Sequence, residues 1–138
     1  MENSPLTAAE LQTLYGQPRE LVAEAWAAGL EATTRAFIAA SPFLLLSSIN
    51  SEGFIDMSPR GGSPGFINVI DDHNIEFLDQ LGNRKIHTFR NLSDNNKVGL
   101  CFMIPGVKEV LRAYGVAKVV NDLVTIERLG GVPERNKA

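Results

Sequence analysis

From Phe43 onward the chain breaks into short apolar runs separated by turn residues, and that rhythm narrows the folds open to it. "FLLLSSI" is strand-like, "NSEG" is a turn and "FIDM" is a return strand, the pattern of a β-hairpin. "SPRGGSPG" (58–65) is dense in Gly and Pro and reads as a loop. "FINVI", "DDHN" and "IEFLD" make a second strand–turn–strand unit. A short helix opens near Asn83 and ends near Leu92. "SDNN" then leads into the strand "KVGLCFMI", and "PGVK" into the long strand "EVLRAYGVAKVV". Six strands with short connections and one inserted helix indicate a small, mainly antiparallel barrel. Strand count alone does not separate such a barrel from an antiparallel sheet with helices on one face.

The first third has the helical period instead. Thr7 and Glu10 have the spacing of a capping box. Leu11, Leu14 and Tyr15 share one face of the helix that follows, and Gly16 with Pro18 ends it. A longer helix is expected from about Arg19 to Ala40, with Val22, Trp26, Leu30, Thr33 and Phe37 at spacings of three and four. Ser41-Pro42 stops it, because the residue before proline is pushed out of the helical region. Trp26 is expected as a core or interface anchor. Near the C-terminus "NDLVTIERLGG" reads as one or two helical turns capped by Asn121 or Asp122, and "VPERNKA" as a loose tail. The expected organisation is one domain: a helical segment 1–42, a β core 43–122, and a helical turn with tail 123–138.

A chain of 138 residues with 44% hydrophobic and 21% charged residues fits one soluble globular domain. The net charge of −3 gives no reason to expect nucleic acid or an anionic membrane as partner. Cys101 is the single cysteine, which rules out an intrachain disulfide. It is expected to be a small buried hydrophobe within "VGLCFMI". With no signal-peptide pattern in "MENSPLTAAEL", a reducing, cytoplasmic setting is expected.

Two basic clusters carry the chemistry. One is Arg60 in "MSPRGG"; the other is Arg84-Lys85 in "GNRK", at the start of the short helix. Cations there add to the positive end of the helix dipole, an arrangement that suits a bound anion. Asn83 is a candidate helix cap, Ser58 offers a hydroxyl, and Gly61, Gly62 and Gly82 allow close backbone approach. Two guanidinium groups and an ammonium suit a phosphate monoester. Plain solvated surface fits the same residues. Other chemistry finds little support. His73 and His87 are expected to face solvent, and without HExxH or further cysteines a metal site is not indicated. Asp71-Asp72 is a turn pair. Ser47 and Ser48 lack a GxSxG elbow. Ala113, Gly115 and Ala117 form a small-residue face, either an internal wall or a surface for a flat ligand or a second chain.

"IEFLDQLGNRKIHTFRNLSDNNKVGLCF" resembles the strand–helix–strand core of the pyridoxamine 5'-phosphate oxidase-like, FMN-binding split-barrel proteins. Asn83-Arg84-Lys85 stands where that family has a Ser-Arg-Lys-type step. "SPFLLLSSINSEGFIDMSPRGGSPGFINVIDD", "NKVGLCFMIPGVKEVLR" and "YGVAK" resemble one FMN-dependent subgroup, and the likeness runs from about Leu6 to Val120. It implies an α+β chain, mainly β with N-terminal helices, built on an antiparallel split β-barrel. It also implies a homodimer with FMN at the interface, and a small-molecule oxidoreductase of unknown substrate. Carried over by position, Arg84 and Lys85 grip the FMN phosphate. Arg60 and Ser58 lie beside the ribityl chain and phosphate, and Asp79 contacts the flavin. Val110 to Arg112 face the flavin across the dimer, with Arg112 on the substrate side or simply at the surface. A non-catalytic module of the same fold, holding FMN, a deazaflavin or haem, is the alternative. The subgroup usually continues into a further strand, so a weakened cofactor site is an additional expectation.

Overall fold

The computed structural model describes residues 4–17, 29–80, 86–132 and 134–138. The elements are α1 (Ala8–Tyr15), α2 (Ala32–Ala40), β1 (Phe43–Ile49), β2 (Ile55–Gly61), β3 (Asn68–Val69) and β4 (Ile75–Glu76). They continue with α3 (His87–Asp94), β5 (Lys97–Met103), β6 (Val110–Val116) and α4 (Leu123–Arg128). The class is α+β with antiparallel sheets. One sheet has four strands in the order β2-β1-β5-β6, and β3-β4 form a two-stranded ribbon. Among the described residues no strand pairing joins the two.

Local rules account for most boundaries. The Thr7–Glu10 capping box forms on both sides, and Gly16 closes α1. In the first hairpin the Asn50 side chain accepts from Glu52 N and Phe54 N at 3.0 and 2.9 Å, an Asx turn. Ser41 ends α2, as the Ser-Pro step requires. Asp122 caps α4 by accepting from Thr125 N at 3.0 Å.

Of the helix expected from Arg19 to Ala40, residues 19–28 lie outside the described residues, and the described part is not helical throughout. Gly29, Leu30 and Glu31 are not helical, and α2 starts only at Ala32. Leu30 N instead donates to Asp72 O at 2.7 Å, and Arg35 pairs with Asp72, so this stretch is tied to the β3–β4 turn. Trp26 lies outside the described residues. Residues 58–61, expected in a loop, belong to β2, with Pro59 opposite Leu45. Proline is tolerated there because β2 is an edge strand. "IEFLD" and "EVLRAYGVAKVV" form shorter strands than expected, since β4 ends at Glu76 and β6 at Val116. Ala117 N still donates to Asn96 O at 2.8 Å, continuing the β5–β6 register by one residue pair beyond the strand ends.

The core lies between the four-stranded sheet and the ribbon. Leu44 and Leu46 of β1, Phe102 of β5, Ile38 of α2 and Ile67 before β3 are its buried members. Phe66 and Phe77 meet edge-to-face at 6.2 Å between ring centres. Gly62, expected to face a ligand, faces Phe66: an added Cβ would lie 2.9 Å from the Phe66 Cβ. Gly61 likewise sits against the chain itself, with Pro42 O 3.3 Å from where its Cβ would be. Cys101 is only partly buried and lies on the sheet face turned away from this core. The apolar side of α1 buries nothing among the described residues.

Candidate functional site

Strand register decides which predicted residues share a surface. Arg60, Leu44, Phe102 and Leu111 form one cross-strand row, and Ser58, Leu46, Leu100 and Ala113 the next. Because Leu44 and Phe102 are core, Ser58 and Arg60 also lie on the inner face. Arg112 is in the row Pro59–Leu45–Cys101–Arg112, on the opposite face. Ser58 and Arg60 therefore share a face, whereas Arg112 does not meet them within one chain.

Arg60 points at the segment leaving β4. Its Nη1 pairs with Asp79 Oδ1, joining two predicted site residues that are 19 positions apart. The pair is largely enclosed, with side-chain exposures of 19% and 24%. The Arg60 guanidinium also stands 5.8 Å from the centre of the Phe89 ring on α3. Its Nε is buried and has no hydrogen-bond partner among the described residues. A buried N–H left unpaired costs about 1–3 kcal/mol, which makes this donor a point of interest in the cleft.

The pair borders a cleft of about 670 Å³ between the inner sheet face and the ribbon. Ala113, Gly115 and Ala117, the small-residue face, line one side of it, and Phe77, Asp79 and Phe89 are among its other walls. Among the described residues no atom lies within 4 Å of the position a Gly115 Cβ would take, so that wall is open as well as flat. His73 and His87 are both exposed, as expected, and His73 reaches the cleft margin.

Asn83, Arg84 and Lys85 lie outside the described residues. The helix they were expected to open begins at His87, and its N-cap is Ile86 rather than Asn83. Among the described residues no side chain caps this end. The helix itself is fixed by Asn91, whose Nδ2 donates to Ser48 Oγ at 2.9 Å and Asp56 Oδ2 at 3.2 Å.

The C-terminal residues contribute where none was expected. Of the stretch expected to be loose, Val132, Asn136 and Ala138 are tied to the cleft segment and to one another. Asn136 is buried, and its Nδ2 donates to Asp79 O at 2.8 Å. Asp79 N donates to Ala138 O at 2.9 Å, and Val132 N to Asn136 Oδ1 at 3.0 Å. Asn near a chain end carries no sequence signal for such a role. Arg128, in the last turn of α4, donates to Glu76 Oε1 at 2.6 Å and anchors α4 to β4. That hydrogen bond, with a second from Asn68, holds the Glu76 carboxyl below its ordinary value.

Sheet order, ribbon and inner-face cleft define an α+β protein with a ligand-sized recess. Residues 30–132 match the pyridoxamine 5'-phosphate oxidase family, and the chain belongs to it. No curated protein sequence matches the chain significantly. Two crystal structures of epitope-tagged HupZ from Group A Streptococcus, at 1.98 and 1.70 Å resolution, share the fold. Each is 15% identical with a TM-score of 0.56, covering 72% of this chain and 78% and 73% of the respective HupZ chains. Among the described residues no group of His, Cys, Asp and Glu is arranged to hold a metal ion. No described helix is long and apolar enough to cross a membrane.

Proposed function

We propose that the protein is an FMN-binding flavoprotein, an oxidoreductase of the pyridoxamine 5'-phosphate oxidase class, working as a homodimer on a small-molecule substrate. The observation that carries this reading is the Arg60 guanidinium in the cleft, with a buried Nε that lacks a partner among the described residues. The recess fits a flat group with an anionic tail: small residues on one wall, an aromatic ring and a cation at the end. In this reading Arg60 and Ser58 lie along the ribityl chain and phosphate. Arg84 and Lys85, with Asn83, complete the phosphate grip. FMN, when bound, supplies hydride and electron acceptance; the chain binds it, orients it and keeps water from one side.

The outer face of the four-stranded sheet supports the dimer. Met57, Val110 and Val116 there are 58%, 54% and 72% exposed, and Phe43, Leu45 and Met103 lie between the edges. An apolar sheet face of this kind marks an interaction surface, and a second copy covers it in this reading. Arg112 stands on that face, so it would serve the partner's site rather than its own chain's.

Replacing Arg84 and Lys85 together by Glu tests the phosphate grip. The expected result is loss of FMN retention with an unchanged circular dichroism spectrum. FMN that co-purifies undiminished with the double variant contradicts the assignment.

A further inference from the structure

We propose that Asp79 is an internal anion that occupies the Arg60 end of the cleft and must give way when a phosphate-bearing ligand binds. Three contacts set the carboxylate there. Its Oδ1 takes the Arg60 Nη1. Its backbone is gripped from both sides by the C-terminal residues, the N–H by Ala138 O and the carbonyl by Asn136 Nδ2. With the backbone fixed at two points, the carboxylate stays within reach of Arg60, and only a side-chain rotation is needed to release the guanidinium.

The chemistry of the pair then sets affinity. A carboxylate and a phosphate ask for the same guanidinium protons. While Asp79 holds one fork of Arg60, an incoming phosphate meets a cation already partly neutralised and a like charge beside it. Nε remains an Arg60 donor that is buried without a partner among the described residues. A ligand therefore gains the full guanidinium, with its unpartnered Nε, only by displacing the carboxylate. Asp79 thus makes the cleft select for ligands whose anion outcompetes a carboxylate. A neutral ring alone lacks that means of opening the pair. This rests on the reading of the cleft as a phosphate-bearing cofactor site.

The test compares the full chain with Asp79→Asn, Arg60→Gln and the double variant. FMN binding is read by quenching of flavin fluorescence, and inorganic pyrophosphate binding by the rise in each variant's own unfolding midpoint. Asn keeps the size of Asp and can still hydrogen-bond to Arg60, so folding is retained while the competing charge is removed. The expected result is FMN binding at least about fivefold tighter in Asp79→Asn, with that gain abolished in the double variant. Asp79→Asn binding FMN as the parent does, or more weakly, overturns the inference while leaving the flavin reading in place. If no variant binds FMN but pyrophosphate stabilises Asp79→Asn more than the parent, and not the double variant, the flavin reading fails and the internal anion stands. Equal responses of parent and Asp79→Asn to both probes overturn it.

Discussion

Glu76 shows how a single carboxylate links the fold to pH. Its hydrogen bond to Arg128 is the main reason its pKa lies below the ordinary value of 4.5. The unfolded chain therefore takes up a proton at Glu76 before the folded chain does. The stability this gives is complete above about pH 4.5 and is lost as pH falls through the folded value. Glu76→Gln is expected to lower stability at pH 7 by up to about 1 kcal/mol, because Arg128 is half exposed. The variant should also show a shallower loss on acidification. Urea midpoints at pH 7 and pH 3.5 check both; a variant that loses stability with acid as steeply as the parent contradicts the assignment. Asn91 should matter more. Removing it as Asn91→Ala leaves the Ser48 hydroxyl, which is 2% exposed, without its donor. The expected cost is about 1–3 kcal/mol in urea unfolding. Residue-scale features of short range were legible in the sequence: the Thr7–Glu10 box, and a cap at Asn121 or Asp122 that the structure gives to Asp122, each lie within three residues. The Arg60–Asp79 pair was not legible as a contact. Both residues were singled out, but nothing in a sequence joins positions 19 apart until strand register brings them together.

At the scale of elements, the hairpins and their order followed from apolar runs and turn residues. Two departures from expectation have one cause. Helical periodicity through Leu30 and Phe37 was overridden by the backbone bond from Leu30 to Asp72. The "VPERNKA" stretch has loop composition, yet it docks through Asn136 and Ala138. In both, a tertiary hydrogen bond decided the outcome, and periodicity does not encode it. The docking of the C-terminal residues has a steric condition. An added Cβ at Gly131 would lie 2.7 Å from Ile126 Cγ2 and 2.9 Å from Ile126 O. Gly131→Ala is therefore expected to cost about 1–3 kcal/mol by forcing α4 and the following chain apart. Asn136→Ala should free the Asp79 carbonyl and speed amide hydrogen exchange at Asp79. Exchange at Asp79 as slow as in the parent means that Asn136 does not hold this segment.

For the whole molecule, the two faces of the four-stranded sheet have different fates. The inner face is covered by α2 and the ribbon and leaves the cleft; the outer face is apolar and open in one chain. Composition gave no hint of this division, since the same alternating strand pattern describes a sheet covered by its own helices and one covered by a second copy. A dimer is expected in light scattering, and Met57→Glu with Val110→Glu is expected to give a monomer with weakened FMN retention. A parent chain that is monomeric and still holds stoichiometric FMN contradicts the shared-site reading. The flavin site is the feature on which the dimer and the Arg60 chemistry depend. Its most direct test is the absorption spectrum of the purified full chain, recorded before and after incubation with FMN and desalting. Retained flavin bands at about one FMN per chain are the expected result. A protein that stays colourless after FMN and desalting contradicts it.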